Sequence, residues 1–133
     1  MSAPINATDT VEHFIAAYNR RDVERAIALL DEQVVLMPML AHMRPDVRPY
    51  EGYAGARSFF AEVAALPVAM ALVPSQITAE GDRVTVMATI RTSTAGGLVD
   101  HPVSIVVCLR DGRIRLVQSF GSVETARSAW EQV

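Results

Sequence analysis

The sequence has 133 residues and a net charge of −3, and all twelve of its basic residues are arginine. Half of the residues are hydrophobic, so a single domain of this length can bury a substantial core. The charge balance gives no broad positive surface of the kind that holds nucleic acid or anionic lipid, and we expect neither partner. Because the sequence has no lysine, imine chemistry through a Schiff base is excluded.

The number of cysteines, the spacing of the histidines and the length of the apolar runs exclude further kinds of protein. Cys108 is the single cysteine, so an internal disulfide and a thiolate cluster are excluded. The three histidines and the scattered acids lack metal-ligand spacing, and we expect no metal and no cofactor. No apolar run approaches the roughly 20 residues that span a bilayer, and the first residues lack the pattern of a secretion signal. We therefore expect a cytoplasmic protein with no membrane partner.

The first third of the sequence predicts a flexible lead-in over residues 1–9, followed by two helices and a strand. Residues 10–133 are expected to form one domain. Asp9 and Glu12 resemble a capping box, which predicts a first helix over residues 10–20. Its predicted apolar face consists of Val11, Phe14, Ile15 and Tyr18. Asp22 is expected to cap the second helix, and the strand VVLMPM follows.

The rest of the sequence predicts a loop, a third helix, a run of strands and a last helix. The loop covers residues 40–52 and the third helix residues 53–66. Four strands are predicted over residues 68–78, 83–94, 102–110 and 113–120. Asp111-Gly112 is the dipeptide that a type I′ hairpin favours, and Ser122 can cap the final helix. Helices before an antiparallel meander predict an α+β fold with the helices on one side of the sheet.

Three segments resemble those of a known superfamily. The order of elements, the run AAYNRRDVERAIALLDEQVVLMPM, the segment YEGYAGARSFF and the closing DGRIRLVQSF resemble the nuclear transport factor 2-like superfamily. The closest resemblance is to its SnoaL-like polyketide-cyclase and ketosteroid-isomerase branches. The resemblance implies a cone-shaped roll in which the N-terminal helices pack on the concave face of a strongly bent antiparallel sheet, over a pocket. It also implies a homodimer formed through the outer sheet face.

The resemblance allows two known catalytic sets to be checked. Ketosteroid isomerases place a tyrosine and two aspartates at positions that align with Phe14, Pro38 and Val106. The three acidic and basic positions of limonene-epoxide hydrolases align with Thr89, Arg91 and Ser119, so neither of their carboxylates is present. We expect neither mechanism in this chain.

The predicted catalytic residues are His42, Tyr18 and Asp46. His42 lies in the irregular loop that the resemblance puts near the pocket mouth, and Asp46 follows it closely. A histidine is the simplest proton carrier near neutral pH, whereas Tyr18 can polarise an oxygen. A surface-loop histidine without function is the plain alternative. His13, off the apolar face of its helix, and His101, at a strand start, are expected to be ordinary surface residues.

The predicted pocket lining comes from the family alignment. Its members on the helices and the sheet are Phe14, Tyr53, Phe59, Met87, Thr89, Arg91, Val106, Cys108 and Ser119, with Val117 beside them. Ordinary core packing is the alternative for the apolar and aromatic members. An inward Arg91 needs an anionic partner, and an outward Arg91 at the rim of a dimer is equally compatible with the sequence.

Two functions remain open from the sequence. The first is a cofactor-independent isomerase, cyclase or lyase acting on a small, mostly apolar, carbonyl-bearing molecule of polyketide-like or terpenoid-like chemistry. The second is a non-catalytic module of the same fold that binds such a molecule or serves as a dimeric structural subunit. A polar pair converging on one side of an apolar cavity would favour the enzyme.

Overall fold

The computed structural model of the chain describes residues 6–37, 49–65 and 69–120. Its elements in chain order are helices α1 (Ala7–Arg20) and α2 (Val23–Ala28), strands β1 (Leu30–Met37) and β2 (Tyr50–Glu51), helix α3 (Gly52–Ala64), and strands β3 (Ala69–Glu80), β4 (Arg83–Thr94), β5 (Gly97–Arg110) and β6 (Arg113–Phe120). The predicted α+β fold is confirmed. The predicted loop around His42 falls mostly outside the described residues, and the final helix lies wholly outside them.

The six strands form one open sheet in the order β2-β1-β6-β5-β4-β3. All neighbouring strands are antiparallel except β1 and β6, which run parallel. The predicted meander of four antiparallel strands is confirmed as β3 to β6, and the parallel pair β1 and β6 makes the sheet as a whole mixed. Helix α3 and strands β2 to β5 lie between β1 and β6 in the chain. No hairpin therefore dictates the direction in which these two strands pair.

Helix caps differ in part from the sequence prediction. The Asn6 side chain accepts a hydrogen bond from the Asp9 N–H (2.8 Å), so α1 begins earlier than predicted and Asp9 is not its cap. Asp9 instead lies in the first turn, where its negative charge complements the helix dipole. The prediction for the second helix is confirmed, since the Asp22 side chain accepts from the Arg25 N–H (3.2 Å).

The main core lies between the helices and one face of the sheet, which we call the inner face. Strand alternation gives this face a row of apolar side chains from β4 and another from β5. The buried inner-face residues of these two strands are Val84, Val86, Ala88, Val103, Ile105, Val107 and Leu109. Val11, Phe14 and Ile15 of α1 pack against them with Ala56 and Phe60 of α3, so the predicted apolar face of α1 is confirmed.

A smaller cluster lies on the opposite, outer face of the sheet. Val106, Cys108 and Phe120 are buried there, with the partly buried Leu116 beside them. Burial raises the pKa of the Cys108 thiol, which keeps it in the protonated form.

Glycine gives the backbone the freedom that the fold needs at two positions, in the turn between β5 and β6 and in α3. Asp111 and Gly112 have φ values of 53° and 79°, the two left-handed residues that a type I′ turn requires, as predicted. In α3, a Cβ added to Gly55 would lie 2.8 Å from the carbonyl carbon of Tyr50. Only glycine therefore lets α3 approach β2 closely enough for Tyr50 to pack edge to face on Phe59, with ring centroids 5.5 Å apart.

Candidate functional site

A cavity lies between the inner face of the sheet and the helices α1 and α3. Including its open mouth, it encloses about 780 Å³. The described residues that line it are Phe14, Ile15, Tyr18, Leu36, Met37, Phe59, Val63, Met70, Leu72, Ile90, Ile105, Val117 and Ser119. None of these side chains carries a carboxylate, an imidazole or a guanidinium. An apolar wall with few polar groups is typical of small-molecule sites.

Tyr18 and Ser119 are the polar side chains among these lining residues. Tyr18 projects from α1, and Ser119 lies on β6 in register with Ile105 of β5. Ser119 is 8% exposed, so its hydroxyl is part of the buried wall. The two hydroxyls therefore belong to different walls of the cavity.

The Tyr18 ring is held by its neighbours. It stacks on Phe59 with ring centroids 6.2 Å apart and an interplanar angle of 19°, and it also contacts Phe60 at 6.2 Å. The guanidinium carbon of Arg21 lies 4.8 Å from the ring centroid. Burial raises the pKa of the Tyr18 phenol, and the charge of Arg21 and its hydrogen bond oppose this in part. The phenol is consequently neutral at physiological pH and available as a hydrogen-bond donor.

The end of α1 is fastened to strand β3, the strand at one edge of the sheet. The Asn19 side chain donates to the Leu72 carbonyl oxygen (2.9 Å) and accepts from the Leu72 N–H (2.8 Å). Arg21 donates to the Met70 carbonyl oxygen (2.7 Å). These three bonds occupy backbone groups that an edge strand otherwise leaves unpaired, and they fix the two residues of β3 that line the cavity.

Three predicted lining residues, Phe14, Phe59 and Ser119, lie at the cavity together with the predicted catalytic residue Tyr18, and Val117 joins them. Tyr53 is placed differently. Its ring packs against the core cluster, and its hydroxyl donates to the Leu30 carbonyl oxygen (3.2 Å), so it does not line the cavity.

The other five predicted lining residues lie on the outer face, and except for Arg91, whose placement the sequence leaves open, the expectation that they point inward is wrong. They are Met87, Thr89, Arg91, Val106 and Cys108. Ile90 lines the cavity, and because side chains alternate along a strand its neighbours Thr89 and Arg91 face away. Arg91 is exposed and pairs with Asp100 of β5 (3.0 Å), and this pairing lowers the pKa of the Asp100 carboxyl. Of the two placements that the sequence left open for Arg91, the outward one is observed.

The predicted catalytic residues His42 and Asp46 lie outside the described residues. His13 is exposed on α1, as expected. His101 is also exposed, but its register partner is the cavity residue Ile90, so it shares the inner face. The described residues contain no group of three metal-ligating side chains. No helix in the described ranges is long and apolar enough to cross a membrane.

Sequence reasoning missed most of the aliphatic wall. The missed lining residues are Ile15, Leu36, Met37, Val63, Met70, Leu72, Ile90 and Ile105. The row Val84, Val86, Ala88 and Ile90 is wholly apolar, whereas the alternate row carries hydroxyls and an arginine. This contrast was the available signal for the inner face of β4.

Comparison with known proteins decides the family. The model of the SnoaL-like domain matches residues 11–117, which is most of the chain. The chain belongs to the SnoaL-like domain family. This agrees with the resemblance drawn from the sequence. No curated protein matches the SnoaL-like chain significantly.

Solved structures show the same fold at low sequence identity. An NTF2-like protein of unknown function from Burkholderia pseudomallei is 24% identical with a TM-score of 0.75, over 96% of this chain and 97% of that one. The protein TerC, co-crystallised with polyporic acid, is 20% identical with a TM-score of 0.75, over 97% and 99%. A proposed polyketide cyclase from Xanthomonas campestris pv. campestris is 22% identical with a TM-score of 0.72, over 92% and 94%. At 20–24% identity, these likenesses show that the chain shares their fold.

Proposed function

We propose that this protein is a cofactor-independent enzyme of the isomerase, cyclase or lyase type, acting on a small, mostly apolar, carbonyl-bearing molecule. Polyketide-like and terpenoid-like compounds have this chemistry. The observation that carries the proposal is a partly buried phenol, Tyr18, in a cavity wall whose other polar side chain among the described residues is Ser119. Because no charged side chain is among the described lining residues, the ligand is expected to bind in its neutral form.

The proposed chemistry begins with the loss of a proton next to the carbonyl group. A base takes the proton from the carbon, the electron pair of the C–H bond moves toward the carbonyl, and negative charge develops on the carbonyl oxygen. Tyr18 donates a hydrogen bond to that oxygen and stabilises the enolate. Return of the proton to another carbon isomerises the molecule, and attack of the enolate on a second carbonyl closes a ring.

His42 is the proposed base, with Asp46 orienting it. Both assignments are predictions from the sequence. His42 follows the cavity residue Met37 by five positions, so the chain allows its Cα to lie at most about 18 Å from that of Met37. Histidine is the side chain whose ordinary titration range suits a proton carrier at neutral pH.

Each of the three histidines can be tested against the others with one reaction. Deuterium exchange at the carbon next to the carbonyl of α-tetralone, followed by NMR in heavy water, reports enolate formation directly. We expect His42→Ala to slow the protein-catalysed exchange by about 10²–10⁴-fold, because general-base catalysis of this kind contributes that much. His13→Ala is the matched control, since His13 is exposed on α1, and its rate is expected to equal that of the wild type.

Two results would reject parts of this proposal. Loss of exchange in His101→Ala together with normal exchange in His42→Ala would move the base to the inner face of β5 and overturn the assignment of His42. Absence of protein-catalysed exchange in the wild type, for α-tetralone and for more acidic diketones alike, would contradict the proposal that this protein is an enzyme.

The alternative is a non-catalytic module that binds an apolar molecule or serves as a dimeric structural subunit. One observation favours it: among the described lining residues, the polar side chains are only two hydroxyls.

We propose a homodimer through the outer face in either case. Two residues support this, since Val73 and Leu98 share the outer face with Thr89 and remain 42% and 67% exposed. Sedimentation velocity measures the oligomeric state, and a monomer at all concentrations would exclude the dimer.

A further inference from the structure

The residue that ends α1 is an arginine in a strained backbone conformation. Arg21 has φ and ψ values of 58° and 32°, in the left-handed region, directly after the helix. Glycine is the usual residue at this position because a side chain there costs free energy. A strained residue persists where its surroundings hold it, and such residues concentrate at functional sites.

The Arg21 side chain is fixed by two backbone carbonyl groups. Its guanidinium donates to the carbonyl oxygens of Tyr18 and Met70, each at 2.7 Å. The same group lies over the Tyr18 ring, with 4.8 Å between the guanidinium carbon and the ring centroid. Tyr18 and Met70 both line the cavity, on opposite sides of the junction between α1 and β3.

The charge of Arg21 is not neutralised by a carboxylate within the described part of the chain. The main-chain acceptors of its hydrogen bonds are neutral carbonyl groups, and the ion pairs of the described residues involve Arg57, Arg91 and Arg110 instead. A partly buried guanidinium without an anionic partner favours negative charge on whatever lies next to it. The guanidinium contacts one ionisable side chain of the cavity wall, the Tyr18 phenol.

We propose that Arg21 is a positioning residue that orients Tyr18 and supplies the positive charge against which an oxyanion develops on the ligand. The site then selects neutral ligands that become oxyanions, namely enolisable carbonyl compounds and phenols, and it disfavours cationic ligands. This deepens the proposed function and rests on it for the identity of the ligand. The effect of Arg21 on Tyr18 itself needs no ligand and can be measured separately.

The first test follows the ionisation of Tyr18 in the free protein by NMR of isotope-labelled tyrosine, assigned by comparison with Tyr18→Phe. Arg21→Asn and Arg21→Gly remove the charge while keeping a residue that tolerates the left-handed backbone. We expect both to raise the pKa of the Tyr18 phenol further, because they remove the positive charge that opposes the effect of burial. Arg21→Lys keeps the charge and is expected to retain part of the wild-type value.

Arg20→Asn provides the matched control. It removes the same charge from the preceding residue, which is exposed in the last turn of α1, and is expected to leave the pKa of Tyr18 unchanged. If Arg21 only fastened α1 to β3, its variants would change stability without moving the Tyr18 pKa. An unchanged Tyr18 pKa in both Arg21→Asn and Arg21→Gly would overturn the proposal.

The second test uses β-naphthol, a neutral bicyclic phenol whose fluorescence distinguishes the neutral and anionic forms. We expect bound β-naphthol to ionise at lower pH in the wild type than in Arg21→Asn. Equal ionisation in the two proteins would contradict the role of Arg21 toward the ligand. If β-naphthol and neutral ketones fail to bind at all, the proposed function of the cavity fails, and the Tyr18 titration still decides the role of Arg21 on its neighbour.

Discussion

Replacing Tyr18 by Phe is expected to slow enolate formation by about 10²–10³-fold, which is the usual cost of removing one donor from a developing oxyanion. The substitution deletes only the hydroxyl. The contacts of the ring with Phe59 and Phe60 remain, and the main-chain carbonyl of Tyr18 still accepts from Arg21. The fold is therefore expected to be as stable as that of the wild type. The measurement is the rate of deuterium exchange into α-tetralone, alongside urea unfolding of both proteins.

Tyr50→Phe is the control for this experiment. The Tyr50 hydroxyl donates a hydrogen bond to the Glu62 carboxylate on α3, and Tyr50 does not line the cavity. We expect its exchange rate to match that of the wild type. A Tyr18→Phe protein that exchanges as fast as the wild type would show that Tyr18 does not stabilise the enolate.

Replacing Phe60 by Ala is expected to lower the free energy of unfolding by about 3–5 kcal/mol, as for other large aromatic side chains truncated in a core. Phe60 is 2% exposed and packs on Phe14, Tyr18 and Phe59 with ring centroids 6.4, 6.2 and 5.4 Å away. Its loss leaves a void behind the aromatic wall of the cavity. Since a domain of this size is stable by only about 5–15 kcal/mol, a large part of its stability would be lost.

Urea unfolding measures this loss, with the slope of the transition expected to stay constant. Val99→Ala is the control, since Val99 is 42% exposed on β5, away from the proposed dimer face, and its truncation is expected to change the free energy of unfolding by less than about 0.5 kcal/mol. A loss below about 1 kcal/mol for Phe60→Ala would mean that α3 does not pack on α1 as described.

The sequence was sufficient for the elements that depend on local pattern. The periodic residues Val11, Phe14 and Ile15 identified the buried face of α1, and Asp111-Gly112 identified a hairpin turn. The capping-box pattern of Asp9 and Glu12 predicts the wrong cap for α1, because asparagine also caps helices and Asn6, three residues before Asp9, takes the role.

The face of β4 and β5 shows how alignment to a distant family can mislead. Side chains alternate with a period of two, so an error of one residue moves a whole strand to the opposite face. The alignment placed Thr89 and Arg91 inside, whereas the apolar residues on either side of Thr89, Ala88 and Ile90, are the inner ones. The chemical contrast between the two rows was the better guide.

The junction of α1 with β3 could not be predicted from the sequence. Asn19 and Leu72 are 53 residues apart, and Arg21 and Met70 are 49 apart. No local pattern encodes which side chain meets which backbone group at such separations, and a polar residue near a helix end ordinarily faces solvent. Only the fold brings these residues together, whereas Arg21 and Tyr18 are three residues apart and meet at the end of α1.

The proposed function depends on the binding of a small apolar ligand between the inner face and the helices α1 and α3. The most direct measurement is NMR of isotope-labelled isoleucine methyl groups during titration with α-tetralone. Ile15, Ile90 and Ile105 line the cavity, whereas Ile27, Ile77 and Ile114 do not. We expect the resonances of the first three to shift with saturation and those of the other three to stay in place. Shifts confined to Ile27, Ile77 or Ile114, or none at any isoleucine, would contradict it.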